Sequence, residues 1–114
     1  MAQDRLAYVE DVLEAIAFVK TVLSGHSFET FKNDQVLRAA IERQLITVGE
    51  ALSKLAKLDA DAASDIEKLP QIVAFRNRLV HNYSGTDVEI VWGIATGYLD
   101  ALKENLIQRF KPRT

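Results

Sequence analysis

Cysteine is absent from this 114-residue chain, which removes disulfides, thiolate metal sites and cysteine nucleophiles together. Glycine and proline are scarce, at five and two residues, and that shortage argues against a fold of short strands and many tight turns. No stretch approaches about 18 consecutive apolar residues, so no membrane-spanning helix is expected. The start of the chain carries Asp4, Arg5, Glu10 and Asp11 where a secretion leader would have a basic patch and an apolar run, and the expectation is a soluble, cytoplasmic protein. Histidine occurs only at positions 26 and 81, with no His-x-x-x-His or Glu-x-x-His pairing, so neither a metal site nor a cofactor is expected. Gly-rich phosphate loops are missing too. The formal net charge of −2 speaks against a broadly basic nucleic-acid surface and leaves room for a focused site where a few cations meet a phosphate.

What is present is helix-forming. Apolar residues make up 48% of the chain, enough for one core, and the length suits a single domain over residues 1–114. Leu6, Val9, Leu13, Ile16 and Leu23 recur at helical spacing from about Asp4 to Ser24, with Gly25 as the stop. His26, Ser27 and Phe28 read as a connector. Asn33 or Asp34 can cap a second helix reaching about Leu58, with the stripe Leu37, Ile41, Leu45, Val48, Leu52 and Leu55. Lys57 to Ser64 reads as a polar connection, and Ser64-Asp65-Ile66-Glu67 has capping-box spacing for a short turn. Pro70 suits the start of a third helix ending near Tyr83, stopped by Ser84-Gly85. Thr86-Asp87-Val88-Glu89 is a second capping box, opening a last helix with Val88, Val91, Trp92, Ala95, Leu99, Leu102 and Leu106 on one face through about Arg109. The fold expected is all-α: an up-and-down bundle of four main helices with room for one short extra helical turn.

The segment Arg76-Asn77-Arg78-Leu79-Val80-His81-Asn82-Tyr83 breaks this regular pattern. On a helix, Ile72, Val73, Leu79, Val80 and Tyr83 fall within roughly 60° of Arg76, so a permanent cation lies mid-stripe among apolar neighbours. Asn77 and His81 share the adjacent face, and Arg78 and Asn82 point to solvent. Such a cation needs a carboxylate, a phosphate or another subunit. Residue chemistry alone leans to an ion pair within one bundle; the alternative is a subunit interface where Arg76 and His81 line a cleft. Glu50, roughly opposite the apolar seam of its helix, is either solvent-facing, as a Glu off the stripe ordinarily is, or a partner for Arg76 across a second interface.

Arg and His on adjacent faces suit phosphodiester chemistry, His moving protons near neutral pH and Arg holding the phosphate. One His cannot easily serve as base and acid at once, and a symmetric dimer would bring two copies of the pair to one cleft. Asn77 could bond the phosphate or orient His81. A Ser84, His81, Asp87 triad lacks the strained elbow such a nucleophile requires. His26 reads as an exposed loop residue, and Trp92 and Tyr98 as core or rim aromatics.

The run Arg76, four residues, His81, one residue, Tyr83 resembles the signature of the HEPN superfamily and of its HepT-like branch. Phe75 to Tyr83, preceded by Pro70 and followed by Asp87 to Trp92, is similar to that family in order and spacing, as is Ile46-Thr47-Val48-Gly49-Glu50-Ala51. The resemblance implies a dimeric, metal-independent ribonuclease acting on RNA, the toxin of a type VII toxin and antitoxin pair. It implies catalytic Arg76 and His81, with Asn77 as their polar companion. The implied product end is a 2′,3′-cyclic phosphate. The implied antitoxin is an MntA-type nucleotidyltransferase that transfers AMP to Tyr83. Two other readings remain: a non-catalytic partner or substrate-binding subunit of such a transferase, and a helical adaptor in which Arg76 pairs with Glu50 or another carboxylate.

Overall fold

The computed structural model describes residues 5–81 and 87–111. Of the described residues 85% are helical and none lies in a strand. The main helices are α1 (Arg5–Leu23), α3 (Gln35–Leu58), α5 (Leu69–Val80) and a last run in which α6 (Val88–Gly93) passes through a π-helical turn (Ile94–Tyr98) into α7 (Leu99–Phe110); α2 (Phe28–Lys32) and α4 (Ala60–Ala63) are short. α3 is the central element, packed most extensively on α1 and next on α5, while α7 closes against α1. No described helix is long and apolar enough to cross a membrane.

Each boundary has a local cause. Gly25 takes φ +82°, a left-handed conformation that ends α1 and that a side chain would strain. Asp34 caps α3 by accepting from the Leu37 N–H at 2.9 Å. Asp87 caps α6 by accepting from the Glu89 N–H at 2.7 Å, so the cap falls on Asp87 where the sequence suggested a box from Thr86, a residue outside those described. Inside α3, all six residues of the expected stripe are buried: Leu37, Ile41, Leu45, Val48, Leu52 and Leu55. Their counterparts in α1 are Val9, Val12, Ala15, Ile16, Val19 and Leu23. The expected Leu6 is instead 36% exposed.

Two connections prove to be helical. Ser27 and Thr30 form a reciprocal capping box, Thr30 N–H to Ser27 Oγ at 3.1 Å and Ser27 N–H to Thr30 Oγ1 at 3.0 Å, which starts α2 where a connector was expected. α2 buries Phe31, against which Trp92 packs with ring centroids 5.3 Å apart. The segment after Leu58 turns through α4, capped by Asp59 and burying Ala62 and Ala63. The short turn expected at Ser64 to Glu67 is present as non-helical turns over residues 64–68, but Ser64 does not open a capping box: it closes α4, its hydroxyl donating to the Asp61 carbonyl at 2.6 Å. Pro70 lies in the first turn of α5, as expected.

Candidate active site

α5 buries Ile72, Phe75 and Leu79, a stripe centred roughly 65° from Arg76 at helical spacing. Arg76 therefore sits at the edge of the apolar face, and the mid-stripe placement is corrected. Val80 is 45% exposed and Phe75 takes the buried position. The reason is the seam with α3. Gly49 is so close to α5 that a Cβ on it would lie 2.4 Å from Arg76 Cβ and 2.7 Å from Cγ, so the aliphatic stem of Arg76 lies across the bare backbone of α3.

The guanidinium is then held from two sides. Arg76 Nη2 donates to Glu50 Oε2 at 2.9 Å, and Nη1 donates to Asn77 Oδ1 at 2.7 Å. The ion pair forms within one chain, with side chains 29% and 40% exposed, so Glu50 is neither a solvated bystander nor a partner across a second interface. Each Nη keeps one further hydrogen for an acceptor. Nε is enclosed with no partner among the described residues, a local cost of about 1–3 kcal/mol. Asn77 directs its acceptor oxygen to Arg76, leaving its amide N–H groups to donate elsewhere.

His81 is the C-cap of α5. It is exposed, and its backbone N–H donates to the Asn77 carbonyl at 3.2 Å. The helix thus ends at His81, one turn beyond Asn77. Arg78 is exposed, as expected. Asn82, Tyr83 and Ser84 lie outside the described residues. His26 is exposed, with Nδ1 3.1 Å from Thr30 Oγ1, on the connection between α1 and α2. Trp92 and Tyr98 are half-buried, and the Tyr98 hydroxyl donates to the Glu67 carbonyl at 2.8 Å. Gly49 is the residue whose part in the site sequence reasoning did not single out. Its signal was a glycine in mid-helix, where it costs about 1 kcal/mol against Ala and needs a packing reason.

Charge follows this geometry. The hydrogen bond from Arg76 holds the Glu50 carboxyl below its ordinary value of 4.5, opposed by partial desolvation and assisted by the charges of Arg76, Arg43 and Lys54. A carboxyl depressed in the folded state stabilises fully above its unfolded pKa, and that contribution is lost as pH falls through the lower folded value. With both groups partly exposed, screening limits the contribution to less than about 1 kcal/mol. Glu50→Gln should be slightly less stable than the parent at pH 7 and should converge with it as pH is taken well below 4.5. Urea unfolding at the two pH values checks this.

No group of three or more His, Asp or Glu side chains converges on a metal-sized space among the described residues. The arrangement offers an anchored guanidinium, an amide beside it and an accessible imidazole at the same helix end.

The family model described as Ribonuclease HepT-like matches residues 12–108. A protein of Caldanaerobacter subterraneus subsp. tengcongensis, whose name is that of a provisional RNase, is 36% identical over 87 residues, covering 75% of each chain. One of Methanocaldococcus jannaschii, similarly named, is 27% identical over 104 residues, covering 90% of this chain and 84% of its own. A protein of Thermococcus cleftensis named as a probable ribonuclease HepT is 28% identical over 109 residues, covering 90% of this chain and 93% of its own. No solved structure gives a significant match. With that model spanning most of its length, the chain belongs to the HepT-like ribonuclease family.

Proposed function

We propose that the chain is the ribonuclease toxin of a toxin and antitoxin pair, cutting RNA without a metal at a cleft shared by two copies. The observation that carries the reading is the anchored Arg76 guanidinium beside the exposed His81 end of α5. In this mechanism His81 takes the proton from a 2′-hydroxyl and the freed oxygen attacks the adjacent phosphorus. The new O2′–P bond forms as the P–O5′ bond breaks, and the leaving oxygen takes a proton from the partner subunit's His81. Arg76 holds the charge that builds on the non-bridging oxygens, and Asn77 and Glu50 fix its plane. The products are a 2′,3′-cyclic phosphate and a 5′-hydroxyl.

Two further features support a two-copy site. One imidazole supplies one proton transfer, and Val80, next to His81, leaves a large apolar side chain in solvent at 45% exposure, which a second copy would cover. Control would act through Tyr83: a cognate MntA-type nucleotidyltransferase joins its hydroxyl to the α-phosphorus of ATP, releasing pyrophosphate. The adenylate adds a phosphate two residues beyond His81, where it competes for Arg76.

The Arg76–Glu50 pair is also what a structural adaptor would use, and that reading has this one observation in its favour. A partly exposed ion pair stabilises by at most about 1 kcal/mol, less than the enclosed Nε costs, so as a mere brace it is a poor one. Expression alone should arrest growth, and co-expression of the cognate transferase should restore it with one adenylate on Tyr83 by intact mass. Unimpaired growth of cells holding the folded, unmodified protein would favour the adaptor or the non-catalytic transferase subunit.

A further inference from the structure

The acid excess of the chain is not shared by the two helices that build the site. α3 and α5 carry six basic side chains against Glu42 and Glu50 alone, leaving eight basic and fourteen acidic for the remainder. The basic residues of α3 are also ordered. At about 100° per residue, Arg43, Lys54 and Lys57 all lie within roughly 40° of Glu50, and all three are exposed. Glu50 is the one carboxylate on that face, and it is occupied by Arg76. Glu42 lies roughly 80° around the helix, half-buried and facing the charge of Arg38. None of Arg43, Lys54 and Lys57 forms an ion pair among the described residues, and although Asp11 and Glu14 of α1 line the neighbouring groove with Gln44 and Thr47, the ridge presents its positive charge to solvent beside the anchored guanidinium.

Its length is informative. From Arg43 to Lys57 the helix rises about 21 Å, the span of roughly six nucleotides at the helical rise of one strand. Arg43 lies two turns from Glu50 in one direction, and Lys54 and Lys57 lie one and two turns away in the other. We infer that this ridge of α3 is a track for the sugar-phosphate backbone of single-stranded RNA, carrying the strand past Arg76 with cations on both sides of the bond to be cut. It rests on the ribonuclease reading and extends it: a track that continues in both directions receives a phosphate inside a strand, which makes the cut endonucleolytic, and it reads no base.

The test uses a fluorescent 2′-O-methyl RNA 12-mer, which cannot be cut at a 2′-hydroxyl, titrated by anisotropy across a range of salt. Lys54→Gln combined with Lys57→Gln should raise Kd roughly tenfold at 0.1 M salt and shrink the slope of log K against log salt by about 1.4, at 0.7 per lost phosphate contact. Lys20→Gln with Lys103→Gln, on α1 and α7, removes the same charge elsewhere and should leave the slope unchanged. Arg43→Gln should act like the ridge lysines. If the ridge variants bind with the parent's Kd and slope while the parent cuts unmethylated RNA, the track is overturned and the ribonuclease reading stands. If they lose the nucleotidyltransferase and keep RNA, the ridge is a protein-docking face and the track is again overturned. If the parent neither binds nor cuts RNA, the ribonuclease reading and the track fail together.

Discussion

His81→Ala should lower the rate of RNA cleavage by about 10³-fold or more, and Arg76→Ala by about 10²–10³-fold, with each protein still folded. The two magnitudes have separate origins. In the proposed mechanism His81 moves the proton, and the one other histidine of the chain, His26, lies on the α1–α2 connection. In the same proposed mechanism Arg76 supplies positive charge at the phosphorane oxygens, where losing one preorganised donor costs about 10²–10³ in rate. The losses should not add in the double variant, because the groups act on one transition state. Folding should survive both changes. His81 closes α5 through its backbone N–H, which Ala retains, and Arg76→Ala leaves Glu50 40% exposed to water. Initial rates with EDTA present, set beside thermal melts, separate this account from a structural brace, for which stability would fall and activity would follow only through loss of folded protein.

Gly49→Ala should destabilise the protein by about 2 kcal/mol, a fall in Tm of roughly 8–10 °C, and should cost more activity than the folded fraction explains. A methyl group there would lie 2.4 Å from Arg76 Cβ. Cβ is at the base of the side chain, so no rotamer change of Arg76 relieves the overlap, and α5 must move away from α3. That movement shifts the guanidinium from Glu50 Oε2, now 2.9 Å away, and carries Asn77 and His81 with it on the same helix. Arg76→Ala should not rescue Gly49→Ala in stability, since the clashing Cβ remains. Arg76→Gly should rescue it in part, less about 1 kcal/mol for glycine inside a helix. Thermal melts of Gly49→Ala and of each Arg76 change, alone and combined with it, measure this.

The four main helices were legible because their signals are local. Asp34 and Gly25 sit at the ends that their chemistry favours, and the α3 stripe repeats for long enough to leave no ambiguity. The two short helices were not legible for the same reason. α2 begins with a box whose third residue is Thr30 rather than Glu or Gln, and α4 has four residues, too few for periodicity to register. The π turn from Ile94 to Tyr98 leaves the spacing of Ala95 and Leu99 unaltered, so the apolar pattern gives no trace of it.

At the site, Arg76, Asn77 and His81 were legible as a group because they share one helix. Their support from α3 was not. Whether Glu50 meets Arg76 depends on how far α3 and α5 slide along each other and how closely they approach, quantities that a single sequence encodes only through Gly49. Glu50 lies one position along from that glycine, which is why the close approach and the ion pair occur together. The stripe on α5 was misplaced by the same omission. Counting from Arg76 put the cation at its centre, whereas packing against Gly49 turned Phe75 inward and set Arg76 in the seam.

The most direct measurement of the central claim is the chemistry of the cut ends. Purified, unmodified protein should be incubated with a defined single-stranded RNA in EDTA and the products resolved by mass spectrometry, with His81→Ala in parallel. Attack by the 2′-hydroxyl through Arg76 and His81 predicts a 2′,3′-cyclic phosphate on one fragment and a 5′-hydroxyl on the other, both lost in the His81 variant. A 3′-hydroxyl with a 5′-phosphate, or unchanged cleavage by folded His81→Ala protein, would contradict it.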